Sequence, residues 1–352
     1  MEHMGFFNLT TFAAEQFLLA DEHGADLLVL VAKATYRVEG RDRLVLDDQQ
    51  VPIDPAGSYH GKPEASSLRN APEASFGKLS TDIALVGHAH APDGEPVTRL
   101  DVSLRVGPVQ KLVRVFGDRR WRRPNLLRWR WGIERPRPFV KMPLLYERAF
   151  GGADLTPADP KHHERESRNP VGVGLIARGT RLKEPVALPN LEDPRRLIRS
   201  PSHRPAPSGF GFIAPHWQWR HQHAGTYDEK WQKSRLPLLP EDFDRQFLST
   251  AHPDLTASGF LNGGELVEIV NASPRGRLAF PLPTDAPEGV VMMKDQTRHA
   301  LAMNLDTVLT DTDEHRVYLV WRASLPVFKK VHDILWAKIQ LVGSGKEDNR
   351  AS

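Results

Sequence analysis

The residues of this chain that chemistry would use first are carboxylates set among bulky apolar side chains. Residues 224–247, AGTYDEKWQKSRLPLLPEDFDRQF, place Asp228, Glu229, Glu241, Asp242 and Asp244 between Tyr227, Trp231, Leu236, Leu238, Leu239, Phe243 and Phe247. Glu147 follows Tyr146 and precedes Arg148 in PLLYERAFGG. Two carboxylates about 5 to 10 Å apart can serve as the acid and base of a glycosidase. Glu147, Asp228 and Asp242 therefore define a candidate carbohydrate-active hydrolase. The competing reading is structural. Acids in arginine-rich coil commonly pair with arginines (here Arg148, Arg220, Arg235 and Arg245) and cap loop amides. On that reading residues 224–247 form an ordered spine, pinned to a sheet by Tyr227, Trp231, Phe243 and Phe247 and tied off by Asp228, Asp242 and Asp244.

Other chemistries leave weaker marks. The fifteen histidines include His88 with His90, His162 with His163, and three in HWQWRHQH at 216–223, but no HExxH occurs, so no metal site is expected. There is no GxSxG elbow around Ser208, and Gly172, Gly174 and Gly179 spell neither a P-loop nor a dinucleotide fingerprint. No catalytic residue and no cofactor are expected. The clearest binding feature is RRWRRPNLLRWRWGIERPR at 119–137, where Arg119, Arg128 and Arg130 accompany Trp121, Trp129 and Trp131. Arginine with interleaved aromatics can grip single-stranded nucleic acid or act as a hot spot at a protein interface. The same residues can also be buried, with the arginines paired to acids.

These side chains need elements to hold them. With 352 residues the chain can bury a large core, and 40% hydrophobic and 26% charged residues are ordinary for a globular protein. The 29 prolines and 26 glycines disfavour long helices. The absence of cysteine excludes disulfides, thiol nucleophiles and thiolate metal sites. A net charge of +3 is too small to imply a nucleic-acid partner. No run approaches a membrane helix, and MEHMGFFNLTTF lacks the pattern of a secretory signal, so no membrane association and a cytoplasmic location are expected.

Period-two alternation predicts strands over 27–38, 81–90, 97–106 and 109–116, with hairpin turns at 39–42 and Gly107-Pro108. Strands return at 265–270, 278–282, 290–293, 299–305 and 317–321, and a short helix is expected within 240–250. Residues 331–342 suit a helix or a strand, with the strand favoured in a β-rich chain. The fold expected is mainly β: antiparallel sheets in a sandwich or open barrel, with a long ordered coil-rich insert and few short helices. The parts are 1–150 (β-rich), 151–258 (coil-rich, packed on the sheets), 259–342 (β-rich, able to form one continuous domain with the first) and a frayed tail, 343–352.

An ordered series of short motifs adds a resemblance. KATY at 33–36, KLSTDIALVGHAHAP at 78–92, VFGDRRW at 115–121, PLLYERAFGG at 143–152, NPVGVG at 169–174, LPNLEDP at 188–194, GTYDEKW at 225–231, LPEDFD at 239–244 and WRASLP at 321–326 together resemble the bacterial domain of unknown function 2169. The resemblance implies a bacterial cytoplasmic protein encoded beside type VI secretion genes. It implies an adaptor or chaperone that holds an effector, often one linked to a PAAR or PAAR-like spike tip, for loading onto the secreted spike. It carries over no catalytic residue. Tyr146, Glu147, Arg148, Asn169, Tyr227, Asp228, Trp231, Asp242, Phe243 and Asp244, which lie in the motifs, become candidates for fold maintenance or partner binding.

Overall fold

Strand Asp26–Glu39 opens with six consecutive apolar residues after Asp26, and only its last turn-facing positions reach solvent. A strand apolar on both faces must lie inside a sheet covered on both sides. In the computed structural model, which describes residues 4–123, 131–180, 182, 184–328 and 331–342, it does so. It pairs antiparallel with Ala13–Ala20 on one edge and Arg316–Pro326 on the other, and Arg43–Leu46 returns onto it through the turn at Gly40. The sheet continues through Asn304–Asp311 to Asp82–Val86, the last pairing being parallel.

Two further sheets complete the frame. One runs Leu191–Glu192, Val109–Phe116, Arg99–Val106, Leu266–Val270, Leu278–Pro281, antiparallel throughout. The other runs Gly5–Asn8, Ile334–Leu341, Pro287–Met293, Arg298–Ala302. Each of the three joins strands from the N-terminal and the C-terminal halves of the chain. Leu28 and Leu30, Val102 and Val267, and Val291 and Ile339 belong to one buried apolar cluster fed by the three sheets. The fold is therefore mainly β with antiparallel sheets, and the described residues close no barrel.

The ambiguous segment 331–342 resolves as a single 3-10 turn followed by strand Ile334–Leu341, because pairing with both Gly5–Asn8 and Pro287–Met293 outweighs helical spacing. Strands Gly5–Asn8 and Ala13–Ala20 were not foreseen. Expected helix 240–250 is only the 3-10 turn Arg245–Leu248, capped by Asp244, while an α-helix forms instead at Glu229–Ser234, capped by Asp228. The expected fraying from residue 343 onward lies outside the described residues.

Polar side chains stitch the coil-rich middle to the large sheet. Arg322, buried on strand Arg316–Pro326, donates to Asp306 at 2.5 Å, to Ser75 at 2.8 Å and to the Glu73 carbonyl at 2.7 Å. Lys33 meets Glu73 at 2.8 Å. Asp82, with no solvent exposure, accepts from the Thr250 backbone at 2.6 Å and from Ser249 Oγ at 2.6 Å, and pairs with Lys78 at 2.7 Å. Burial pushes the Asp82 carboxyl upward, but Lys78 and these donors prevail and hold it below the ordinary carboxylate range. Such a pair is satisfied on every side, the condition under which a buried charge is tolerated.

Candidate functional site

The Asp82 clamp fixes one wall of a cleft on the molecule's coil-rich side. It anchors Ser249 and Thr250 against the start of strand Asp82–Val86, and Thr81 exchanges backbone hydrogen bonds with Ala257 and Gly259. Leu79, Ser80, Ser249, Ala251, Pro253 and Thr256 line this wall. The opposite wall is the short helix Gln218–His221 in HWQWRHQH. There Trp217 points into the core, its ring 5.3 Å from that of Tyr146, while Trp219 and Arg220 line the cleft. The cleft encloses about 580 Å³.

Its electrostatics are one-sided. Arg168, Arg220, His223 and Arg245 are among its lining residues, and no described lining residue is Asp or Glu. Arg168 is held by both oxygens of Glu166 at 2.7 Å, Arg245 by Glu22 at 2.6 and 3.0 Å, and His223 by Asp244 at 2.8 Å. Arg220 differs. It is 6% exposed, donates Nε to the Phe247 carbonyl at 2.9 Å and Nη1 to the Ile213 carbonyl at 3.0 Å, and meets no carboxylate among the described residues. Burial pulls its guanidinium down to about 10, still charged at neutral pH. Behind the cleft, Trp219 stands edge-on to His252 at 4.4 Å. His252 is buried beside Lys111, whose Nζ lies 3.0 Å from Nδ1 and 3.0 Å from Asp254. Burial brings the Lys111 ammonium down to about 8.

The residues singled out in the sequence scatter around this cleft instead of converging. Arg119 is buried against Glu192, and Trp121 is 1% exposed within a satellite apolar cluster that includes Phe150 and Leu188, with half-buried Trp131 packed on it. Reading Arg119 and Trp121 as partner-binding residues is thus corrected: a guanidinium sealed against a carboxylate and an indole inside a core present no surface. Arg128, Trp129 and Arg130 lie outside the described residues.

Tyr146 and Asn169 are buried. Asn169 Nδ2 donates to the carbonyls of Tyr146 at 2.8 Å and Phe150 at 3.0 Å, which locks AFGG against NPVGVG. Gly172 is needed there because a Cβ would come within 2.7 Å of the Ala149 carbonyl. Arg148 reaches Asp118 at 3.3 Å and Asn190 at 3.2 Å.

The carboxylates of the hydrolase reading are divided between places. Glu147 accepts from the Ser67 backbone and hydroxyl, each at 2.7 Å, and lines a different hollow from Asp228 and Asp242. Asp228 caps its helix through the Trp231 amide at 2.8 Å, and Asp242 holds the Thr226 amide at 2.9 Å and hydroxyl at 2.7 Å. Those Thr226 bonds lower the Asp242 carboxyl. Asp228 and Asp242 do share a shallow hollow of about 290 Å³ with Trp231.

The acids of 224–247 thus tie off loop amides and His223. The arginines named as their partners turn elsewhere, Arg235 to the carbonyls of Leu239 and Glu22 and Arg220 to two other carbonyls. The spine is also corrected. Tyr227 is 54% exposed, Leu236 is exposed, and Trp231 and Phe243 are half-buried. Tyr227 and Trp231 pack on each other at 4.7 Å, and the segment is held to the rest of the molecule by Arg235 and Arg245 on Glu22 and by Phe243 on Phe76, not by insertion of Tyr227 and Trp231 into a core.

The cleft was missed in the sequence because HWQWRHQH reads as a histidine cluster. The available signal was a tryptophan-arginine pair inside it. Among the described residues no group of three His, Asp or Glu is placed to hold a metal ion, and no helix is long and apolar enough to cross a membrane. The profile of the family DUF2169, described as an uncharacterized protein conserved in bacteria, matches residues 23–322. No curated protein and no solved structure matches the chain.

Proposed function

The chain belongs to the bacterial family DUF2169, and from that premise we propose that it is a non-enzymatic adaptor of type VI secretion, a cytoplasmic chaperone that holds a PAAR-linked or PAAR-like effector and presents it to the secreted spike. The observation that carries the reading is the ordered set of motifs, KATY through WRASLP, spread over the length that the family spans. Its support from geometry is the use to which the motif residues are put. Tyr146, Asn169 and the glycines beside them lock loops together, and Glu147, Asp228 and Asp242 cap amides, so these motifs serve to hold a surface in shape. A rigid coil-rich face with an open cleft is what a protein needs in order to grip another without a chemical step.

The test is co-expression with a PAAR-linked or PAAR-like effector. Capture of the pair, and loss of the partner's solubility or secretion when the adaptor is deleted, is the expected outcome. If the two neither associate nor affect each other's solubility or secretion, the reading falls. A second reading, a carbohydrate-active hydrolase, draws on the hollow shared by Asp228, Asp242 and Trp231. It requires turnover of a glycoside that Asp228→Asn or Asp242→Asn abolishes, and turnover unchanged in both variants removes it.

A further inference from the structure

We infer that the cleft between Trp219 and Leu79 is a recognition site for an acidic peptide segment of a protein partner, with Arg220 as the group that receives its carboxylate. The inference rests on the adaptor reading for the kind of partner and on the cleft's own chemistry for the ligand class.

The three arginines of the cleft are not equivalent. Arg168 and Arg245 already hold the carboxylates of Glu166 and Glu22 in two-point pairs. Arg220 is more than nine-tenths buried, uses Nε and Nη1 on backbone carbonyls, makes no hydrogen bond through Nη2 among the described residues, and is one of the residues that line the cleft. The carboxylate that acts on it, Asp82, is already engaged by Lys78, Ser249 and Thr250, so a cation with a donor to spare is left for an incoming anion. No described lining residue is Asp or Glu, and the carboxylates behind the lining, Glu166, Glu22 and Asp244, are each paired with a basic side chain, which limits their repulsion of such an anion.

The remaining surface says what accompanies the charge. Leu79 is 55% exposed at the lip and Trp219 forms part of the wall, so apolar side chains next to the carboxylate find cover. Gln218 and Gln222 are both exposed; Gln218 Oε1 accepts from Ser167 and Gln222 Nε2 donates to the Trp219 carbonyl, which leaves the Gln218 amide NH2 and the Gln222 carbonyl oxygen for a peptide backbone. A free inorganic anion would use Arg220 alone; an acidic segment with interspersed apolar residues uses the whole cleft.

The experiment titrates the full chain with acetyl-Glu-Glu-Leu-Glu-Glu-amide and with acetyl-Gln-Gln-Leu-Gln-Gln-amide by calorimetry. The Glu peptide is expected to bind at least about tenfold more tightly than the Gln peptide and to weaken with added salt. Leu79→Asp and Gln222→Glu, at exposed positions that can change without unfolding the protein, are expected to weaken the Glu peptide about tenfold by like-charge repulsion at an unchanged melting temperature. Equal binding of the two peptides, or binding of the Glu peptide indifferent to both substitutions, overturns the assignment. If the peptides discriminate as expected but a PAAR-linked or PAAR-like effector is not captured, the adaptor reading fails and the cleft assignment stands. If that protein is captured equally by the wild type and by both variants, and the Glu peptide does not bind, only the cleft assignment fails.

Discussion

Acidification should weaken this protein through His252, behind the wall of the cleft. Its imidazole is 5% exposed, accepts the Asp254 amide on Nδ1 at 3.1 Å, faces the Pro207 carbonyl with Nε2 at 3.3 Å, and has the Lys111 ammonium 3.0 Å away. Burial first, then Lys111, drives its pKa far below the ordinary imidazole value; the carboxylates of Asp254 and Asp193 oppose this but do not prevail. In the unfolded chain the ring titrates near its ordinary value, about 6.5. The folded-state pKa is therefore the lower of the two. The stabilising preference for a neutral ring is fully present above about pH 6.5 and drains away as pH falls toward the folded value, because the unfolded state takes up the proton first.

From pH 7 to pH 5 the loss from this one group is about 2 kcal/mol, since each pH unit between the two pKa values is worth about 1.4 kcal/mol. Urea unfolding followed by tryptophan fluorescence, at pH 7 and pH 5, measures it. Wild type should lose about 2 kcal/mol more between the two pH values than His252→Gln. His60, His90 and His216, also lowered by burial, are common to both proteins and cancel. Identical pH dependence in the two proteins would refute the argument, whatever the absolute stability of the variant.

Substitutions at three further positions test the loop locks. The Tyr146 hydroxyl is buried without a partner, so Tyr146→Phe should leave the melting temperature unchanged or raise stability by up to about 1 kcal/mol, whereas Tyr146→Ala should cost about 3 to 5 kcal/mol; a destabilised Phe variant would reveal a hydrogen bond to the hydroxyl. Asn169→Ala strands the carbonyls of Tyr146 and Phe150, and urea unfolding should register a loss of about 2 to 5 kcal/mol. Trp231→Ala removes a half-buried ring, its packing on Tyr227 and its bond to the Leu238 carbonyl, so the same measurement should give about 1 to 2 kcal/mol; a loss of 3 kcal/mol or more would restore the buried-spine reading.

Strands were legible wherever a local period set them. Residues 97–106 and 109–116 alternate and turn at Gly107, and they form the hairpin Arg99–Val106 with Val109–Phe116. The run at 27–32 reads as a buried strand and becomes part of an interior strand of the largest sheet. Gly5–Asn8 escaped because it is short and exists by pairing with Ile334–Leu341, more than 300 residues away in the chain. The acids of 224–247 announced their types but not their duties: Asp228 and Asp242 became caps because the nearest donors were amides of their own segment.

By itself the sequence determined what local stereochemistry can encode: alternating strands, turns at glycine and proline, the exclusion of thiol chemistry, and a motif order specific to one family. Only the tertiary structure decided which side chains meet. Asp82 and Thr250, separated by 168 positions, join to build a cleft wall. Trp121 and Trp217 are core while Trp219, two residues from the latter, faces a groove. Arg220 is buried with its guanidinium on two backbone carbonyls and no direct carboxylate bond among the described residues, while Asp82, 138 positions earlier, is the carboxylate that acts on its charge. Charge and hydrophobicity are properties of a residue, but burial and pairing belong to the space around it, and that space is set by strands drawn from opposite ends of the chain.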